Sequence, residues 1–332
     1  MAETLLHNVE NRISELLFQL QYVLNPIEER RLELKKHSRN LLLVFIAVLL
    51  IIGGMYAYFR NPYFLWGFAL AVIAYIILYF FKVNSPKNIL IEDYQKNVVP
   101  HIINEFLADA CFEPDNYISS SEYWNSGLFN THVDRYKGNN YISGTLGKTS
   151  LKFSVLHTQY KTQTRTKNGG TRTTWHTIFK GIFLIADSNK HFQGETYIFP
   201  DSAERALGGI GRWFQEKVGA LGRGEMVYME DAEFEKRYVV YATDPVEARY
   251  LLTPAMQEYF VKIANYLGVD AIHASFINGK LYLAVSGNYD LFAFKMNRCL
   301  VDADTIKYYA QDMLTVLSVV EMLDLNTRIW GK

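Results

Sequence analysis

A chain of 332 residues with 34 basic and 34 acidic side chains has no net charge at neutral pH. That balance excludes the strongly basic surface of a dedicated nucleic-acid binder, so no nucleic-acid partner is expected. Cys111 and Cys299, the two cysteines, cannot build a framework of disulfides; they read as small core residues in a reducing compartment.

The first 40 residues predict amphipathic and juxtamembrane helices. Leu6, Val9, Ile13, Leu16, Leu20, Val23 and Ile27 recur at alternating spacings of three and four, the heptad pattern of a helix with one apolar stripe. That stripe is open to three uses: a coiled coil with a second copy through residues 6–27, docking on the chain's own soluble part, or contact with a membrane surface. Asn25-Pro26-Ile27-Glu28 reads as a break and restart, with Asn25 as cap, Pro26 at the first helical position and Glu28 where a capping box places it. The restarted helix is expected to run on into the next segment.

Residues 41–82 predict a two-helix transmembrane hairpin. Leu41–Phe59 and Tyr63–Phe81 are uncharged runs of 19 residues each, separated by Arg60, Asn61 and Pro62. Each is long enough to cross the hydrocarbon core as a helix. The first run begins too far into the chain, and is too long, for a cleavable signal peptide. Arg30, Arg31, Lys35, Lys36 and Arg39 precede the hairpin, Lys82 and Lys87 follow it, and its tip holds Arg60 alone. The excess of Lys and Arg on both flanks places both in the cytoplasm. Tyr56, Tyr58, Tyr63 and Trp66 gather at the tip like an interfacial aromatic belt. Gly53-Gly54 and Gly67 with Ala69, Ala71 and Ala74 suit close helix packing, and the absence of an ionisable residue inside either span marks an anchor rather than a conduit.

Residues 88–332 predict a soluble α+β domain, an antiparallel sheet with helices. Pro86 reads as an end after the second span, and 89–110 as helix with a kink or boundary at Pro100. From Tyr141 the pattern turns to β-branched and aromatic residues. Long strands flank Asn168-Gly169, a hairpin turn signal; with those two as the turn residues, Leu156 faces Gly181 and Tyr160 faces Thr177. Further strands are expected at 195–199, 225–229, 237–242, 271–277 and 280–286, and helices at 201–217, 244–251, 254–267 and 302–323, the last capped by Asp302 or Asp304. Grouped rather than alternating elements give the α+β class.

Chemistry is sparse. The sequence has no Walker A, G-x-G-x-x-G, H-E-x-x-H, C-x-x-C or G-x-S-x-G motif, so no catalytic residue, metal ligand or cofactor is expected. His157 and His176 lie on the two arms of the hairpin without facing each other. Gly208-Gly209-Ile210-Gly211 reads as a helix C-cap and turn, and Glu230, Asp231, Glu233 and Glu235 as a solvated acidic loop. The unusual feature is the hairpin end, residues 158–174, with Lys161, Arg165, Lys167 and Arg172 and no acidic residue. It reads either as a polar arm whose charges prevent edge-to-edge pairing, or as a contact for anionic lipid headgroups or an acidic partner. Trp175, His176, Arg212 and Arg328 are candidates for an anion pocket, since aromatic and cationic groups together suit such ligands.

Three segments carry a resemblance: TRTTWHTIFKGIFLIADSNKHFQGETYIFPD (171–201), YVVYATDPVEARYLLTPAM (238–256) and DLNTRIWGK (324–332). They resemble the bacterial family of domain of unknown function 3137, with a similar layout of basic N-terminal segment, two close spans and one soluble domain over nearly the whole chain from about residue 30. The resemblance implies a bacterial inner-membrane protein and brings no activity, cofactor or catalytic residue. The expected function is therefore a membrane-anchored cytoplasmic binding, scaffold or regulatory module, more a binding protein than an enzyme. The alternatives are a membrane-bound enzyme acting on an anionic ligand and a lipid- or ion-handling protein.

Overall fold

The computed structural model describes residues 2–165, 170–188, 192–201, 225–269, 272–302 and 304–305, with side chains from Phe18 onward, Tyr266 excepted. It divides into two compact units. The first takes in residues up to Ile102 and the segment from Phe292; the second spans Ile103–Leu291.

In the first unit, α1 runs unbroken from Ala2 to Phe59 with Pro26 inside it. The expected break at Asn25-Pro26 does not occur. Tertiary packing holds the helix through the proline: Leu20, Leu24, Ile27, Glu28 and Arg31 on one stripe are all buried, and α1 packs on α3 (Ser85–Asn97). This end of the heptad repeat is thus used within the chain. Its most unusual members are charged. Arg31 Nε and Nη2 donate to the two carboxylate oxygens of Glu28 at 2.8 and 2.6 Å. Arg31 Nη1 donates to the Met296 carbonyl at 2.5 Å, and Glu28 accepts the Leu300 N–H at 2.9 Å. One buried ion pair therefore clamps the 292–300 segment to α1. Around it, Arg30 pairs with Asp93 of α3 at 2.8 Å, and Phe294 packs edge-on against Tyr94 at 5.5 Å.

Beyond the clamp, α1 and α2 (Tyr63–Tyr79) form a helical hairpin long and apolar enough to cross a membrane. Phe45 stacks on Tyr75 at 4.2 Å. A Cβ built on Gly67 would lie 3.6 Å from Ile52, and one on Gly53 3.8 Å from Phe68, whereas Gly54 faces open space. Gly53 and Gly67 thus sit at the helix–helix seam. Pro86 does not end the second helix. A π-helical turn, Phe80–Asn84, joins α2 to α3, with the Ser85 N–H reaching back five residues to the Phe80 carbonyl. The wider turn re-partners backbone groups that the N–H-less proline would strand. Helix ends near Pro100 as expected, with α4 at Val99–Asn104, but residues 108–110 are strand.

Among the described residues the second unit is built on a nine-stranded sheet, every neighbouring pair antiparallel, in the order β1-β2-β3-β4-β9-β8-β5-β7-β6. The strands are β1 Ala108–Glu113, β2 Arg135–Leu146, β3 Thr149–Arg165, β4 Thr171–Asp187, β5 Thr196–Pro200, β6 Glu225–Val227, β7 Tyr238–Ala242, β8 His273–Ile277 and β9 Lys280–Ser286. On one face, Leu156, Phe179, Phe183, Tyr197, Phe199, Tyr241 and Tyr282 build a core with Ile118, Tyr123 and Leu128 of the segment after β1. That segment contains α5 (Ser120–Asn125), capped by Ser119. Among the described residues three further helices follow: α6 (Ala232–Glu235), α7 (Pro245–Leu251) and α8 (Pro254–Leu267). Asp231, Asp244 and Thr253 cap them through side-chain oxygens, and Gly268 closes α8 at φ 64°, where only glycine is free of strain. Cys111, on edge strand β1, and Cys299 are both exposed thiols rather than core residues. The expected helices at 201–217 and 302–323 fall, but for their first residues, outside the described residues.

Burial alone would push the Glu28 carboxyl up, but the Arg31 guanidinium, the Leu300 N–H and the Cys299 side chain together hold it below the usual carboxylate range. A depressed folded-state value stabilises the fold above the unfolded value, and the benefit is lost as pH falls through the folded value. Glu28→Gln leaves a buried guanidinium without counter-charge and is expected to cost about 3–5 kcal/mol, read as thermal unfolding of the detergent-solubilised full chain. Glu28→Gln with Arg31→Met recovers most of the loss; a single variant as stable as wild type would refute the clamp.

Candidate anion-binding face on a β-arm

Strands β3 and β4 outrun their neighbours. β2 pairs with β3 only as far as Arg135 opposite Gln159, and β9 pairs with β4 only from Ser286 opposite Gly181. Residues 160–165 and 171–176 therefore project as a two-stranded arm, nearly all exposed. A built Cβ on Gly181 would lie 2.0 Å from the Val285 carbonyl oxygen, so glycine lets β9 close onto the arm's base.

The register follows the expected Leu156↔Gly181 pair and then departs from it. Thr158 faces Phe179, but Gln159 faces Thr177, so Ile178 is an extra residue in β4. Tyr160 consequently faces His176, not Thr177. The two rings stack at 4.9 Å, and His176 Nε2 lies 2.9 Å from the Thr162 hydroxyl. At the far end Arg165 faces Thr171 where the expected register would place Arg172; the turn expected at Asn168-Gly169 lies outside the described residues.

Side chains of a strand alternate between faces, and cross-strand partners share one. Lys137, His157 and Lys180 are direct partners across β2, β3 and β4. Arg135, Gln159 and Thr177 form the next row, followed by Lys161 with Trp175 and, at the tip, Arg165 with Thr171. All of these lie on one face. His157 Nε2 is 3.3 Å from the Thr177 hydroxyl, Arg135 Nη1 donates to Gln159 Oε1 at 3.2 Å, and the Arg135 guanidinium sits 3.8 Å over the Trp175 ring. Lys180 donates to the neutral Asn288 side chain at 2.6 Å. The carboxylate that engages this face is Asp134, which accepts the Lys161 N–H at 2.9 Å and lies 3.4 Å from its ammonium. Across β2, β3 and β4 the single acidic residue is Asp187, the last of β4.

The arm thus sorts the residues singled out by sequence. Lys161, Arg165 and Trp175 share the basic face; Arg172 and His176 point to the other side. Lys167, Arg212 and Arg328, like the Gly208–Gly211 run, lie outside the described residues. Arg135, Lys137 and Lys180 were missed, because the basic run was read along one hairpin end; their signal was the period-two spacing of Arg135 with Lys137 and of His157 with Lys161 and Arg165. The acidic stretch is used locally: Asp231 caps α6, Glu235 accepts the Met229 N–H at 2.6 Å and Glu233 pairs with Lys236. Among the described residues, no group of three or more His, Cys, Asp or Glu side chains is placed to hold a metal ion.

Partial burial, then the charges of Lys180, Arg135 and Lys137, lower the His157 pKa below the ordinary histidine value. The folded state resists a proton the unfolded chain takes readily, so this group costs stability as pH falls below about 6.5. Lys180→Gln is expected to move the His157 midpoint back toward that value in an NMR titration of histidine-labelled full chain; an unmoved midpoint would place Lys180 out of electrostatic reach.

No characterised protein and no solved structure matches the chain. Residues 177–325 match a family described as protein of unknown function, DUF3137. The match takes in β4 from Thr177, with Lys180, and the strands and helices that follow; β2 and β3 precede it. Over residues 177–325 the chain is therefore similar to DUF3137, the family that its sequence resembles.

Proposed function

We propose that the protein is a membrane-anchored binding module of the bacterial inner membrane, held by its two apolar helices with the soluble part on the cytoplasmic side, and that the basic face of its β-arm takes an anionic partner. The observation that carries the reading is the charge asymmetry of β2, β3 and β4, where Arg135, Lys137, His157, Lys161, Lys180 and Arg165 share one face and the one acidic residue of the three strands lies at the end of β4. The anchor is supported by large apolar side chains that α1 and α2 leave exposed, among them Leu50, Trp66 and Leu70. Water tolerates such a continuous surface poorly and lipid does not. Lys35, Lys36, Arg39, Lys82 and Lys87 support the orientation.

The exposed thiols of Cys111 and Cys299 make the topology directly readable. A membrane-impermeant maleimide is expected to label both in inverted inner-membrane vesicles and neither in intact spheroplasts; labelling from outside would overturn the orientation. For the binding face, the detergent-solubilised full chain is expected to be retained on a sulfated polyanion resin. The double variant Lys137→Gln, Lys180→Gln should elute at clearly lower salt, and Asp134→Asn, which releases Lys161, at higher salt. A folded double variant that co-elutes with wild type would refute the basic face as the contact.

A further inference from the structure

The basic face is not uniform. Toward the tip its charges are spaced out, and Lys161 is already engaged by Asp134. At the base, Lys137, His157 and Lys180 stand side by side on three neighbouring strands, which places the outer two about 10 Å apart across the central one. Arg135 lies one row away on β2, within electrostatic reach of His157. The charged groups acting on His157 are Lys180 of β4 and Arg135 and Lys137 of β2, all cationic, and its one hydrogen-bonding neighbour is the neutral Thr177 hydroxyl. β9, which flanks β4, pairs with it only from Ser286 and brings no charge to the row. Both Lys137 and Lys180 are exposed. Three permanent cations therefore converge on a titratable ring with no carboxylate between them.

We propose that the Lys137–His157–Lys180 row, flanked by Arg135, is a binding site for a phosphate-class dianion, and that binding draws a proton onto His157. This deepens the reading of the arm as an anion-binding face and rests on it. The chemistry favours a dianion with several oxygens. Two ammonium groups, a guanidinium with donors left over after Gln159, and an imidazole N–H offer more charge than one carboxylate can accept. A dianion seated in the row cancels the repulsion that, after partial burial, disfavours a proton on the ring, so the ring takes a proton more readily and becomes a further donor. By linkage, the anion must then bind more tightly as pH falls, by at most tenfold per pH unit for one proton.

The test uses the histidine-labelled full chain in nanodiscs of zwitterionic lipid, with the His157 signal assigned by its loss in His157→Gln. Inorganic phosphate and sulfate are the probes; sulfate stays a dianion from pH 5 to 8, so any pH dependence of its binding belongs to the protein. Either anion is expected to raise the His157 midpoint, and sulfate affinity is expected to climb as pH falls in wild type and to flatten in His157→Gln. Lys137→Gln and Lys180→Gln should each weaken sulfate binding about tenfold, while Lys161→Gln, whose charge Asp134 already takes, changes it less than twofold. Nanodiscs with phosphatidylglycerol separate the sources. If the ligand is a lipid headgroup, the midpoint rises with no added anion and sulfate binding weakens by competition; if it is a free phosphate compound, the midpoint matches that in zwitterionic lipid until phosphate is added. Either result supports the site. A midpoint unmoved by phosphate, sulfate and phosphatidylglycerol overturns it. Retention on the sulfated resin by a protein that fails this test would leave the broader anion-binding reading standing, and loss of both would remove both.

Discussion

The pairing of β3 with β4 is the constraint on which the second unit depends. The same two strands supply the middle of the sheet, where Leu156, Phe179 and Phe183 enter the core, and the arm, where among the described residues no third strand follows. The change from core to arm happens within a few residues, at the bulge of Ile178 and at Gly181, where β9 closes on β4 without a Cβ in the way. An extra residue on one strand raises local twist and re-aims the side chains beyond it. Without it, Tyr160 would meet Thr177 rather than stack on His176. The residues of the basic row sit just on the sheet side of that bulge, braced by β2, so their spacing is set by ladder hydrogen bonds and not by a free loop.

In the first unit the corresponding constraint is the Glu28–Arg31 pair. A buried ion pair is a poor source of net stability, since desolvation offsets much of the attraction. What it contributes is a particular arrangement: the donors and acceptors left over are met by the Met296 carbonyl and the Leu300 N–H, so one segment in one register satisfies them. The pair lies on the helix that continues into the apolar span. Arg31 is also removed from the count of charges available to orient the hairpin, which leaves Lys35, Lys36 and Arg39 nearest the first span.

Much of this was legible in the sequence where the signal is local. The two apolar helices, the helices at 244–251 and 254–267, the strands after β4 and the Leu156↔Gly181 register all follow from composition, helix periodicity and period-two alternation. The failures share a cause. Capping chemistry puts a helix restart at Asn25-Pro26, and the missing donor of Pro86 suggests a helix end, but burial of Leu20, Leu24 and Ile27 carries the helix past the first, and a π-turn absorbs the second. A turn expected at Asn168-Gly169 predicts a register only for an unbroken ladder, and nothing in the order of residues marks Ile178 as the one left over. Arg135, Lys137 and Lys180 are far apart in the chain; that they share a face with His157 is a consequence of strand order, which no local pattern contains.

Strand order also separates two kinds of contact that a single basic run would merge. At the tip, Arg165 and Arg172 lie on opposite faces of a two-stranded ribbon, exposed to solvent that screens their charge within about 10 Å at moderate salt. A pair so arranged cannot converge on one small group; it suits a diffuse field or a partner that wraps the ribbon. At the base, the cations face one way, stand on adjacent strands and surround a ring whose protonation they oppose. Mutual repulsion of this kind raises the free energy of the empty site and is relieved only by a counter-charge placed among the residues. The proposed anion site therefore falls at the base of the arm, where the cations converge, and the charges at the tip would add only an attraction that falls away with ionic strength.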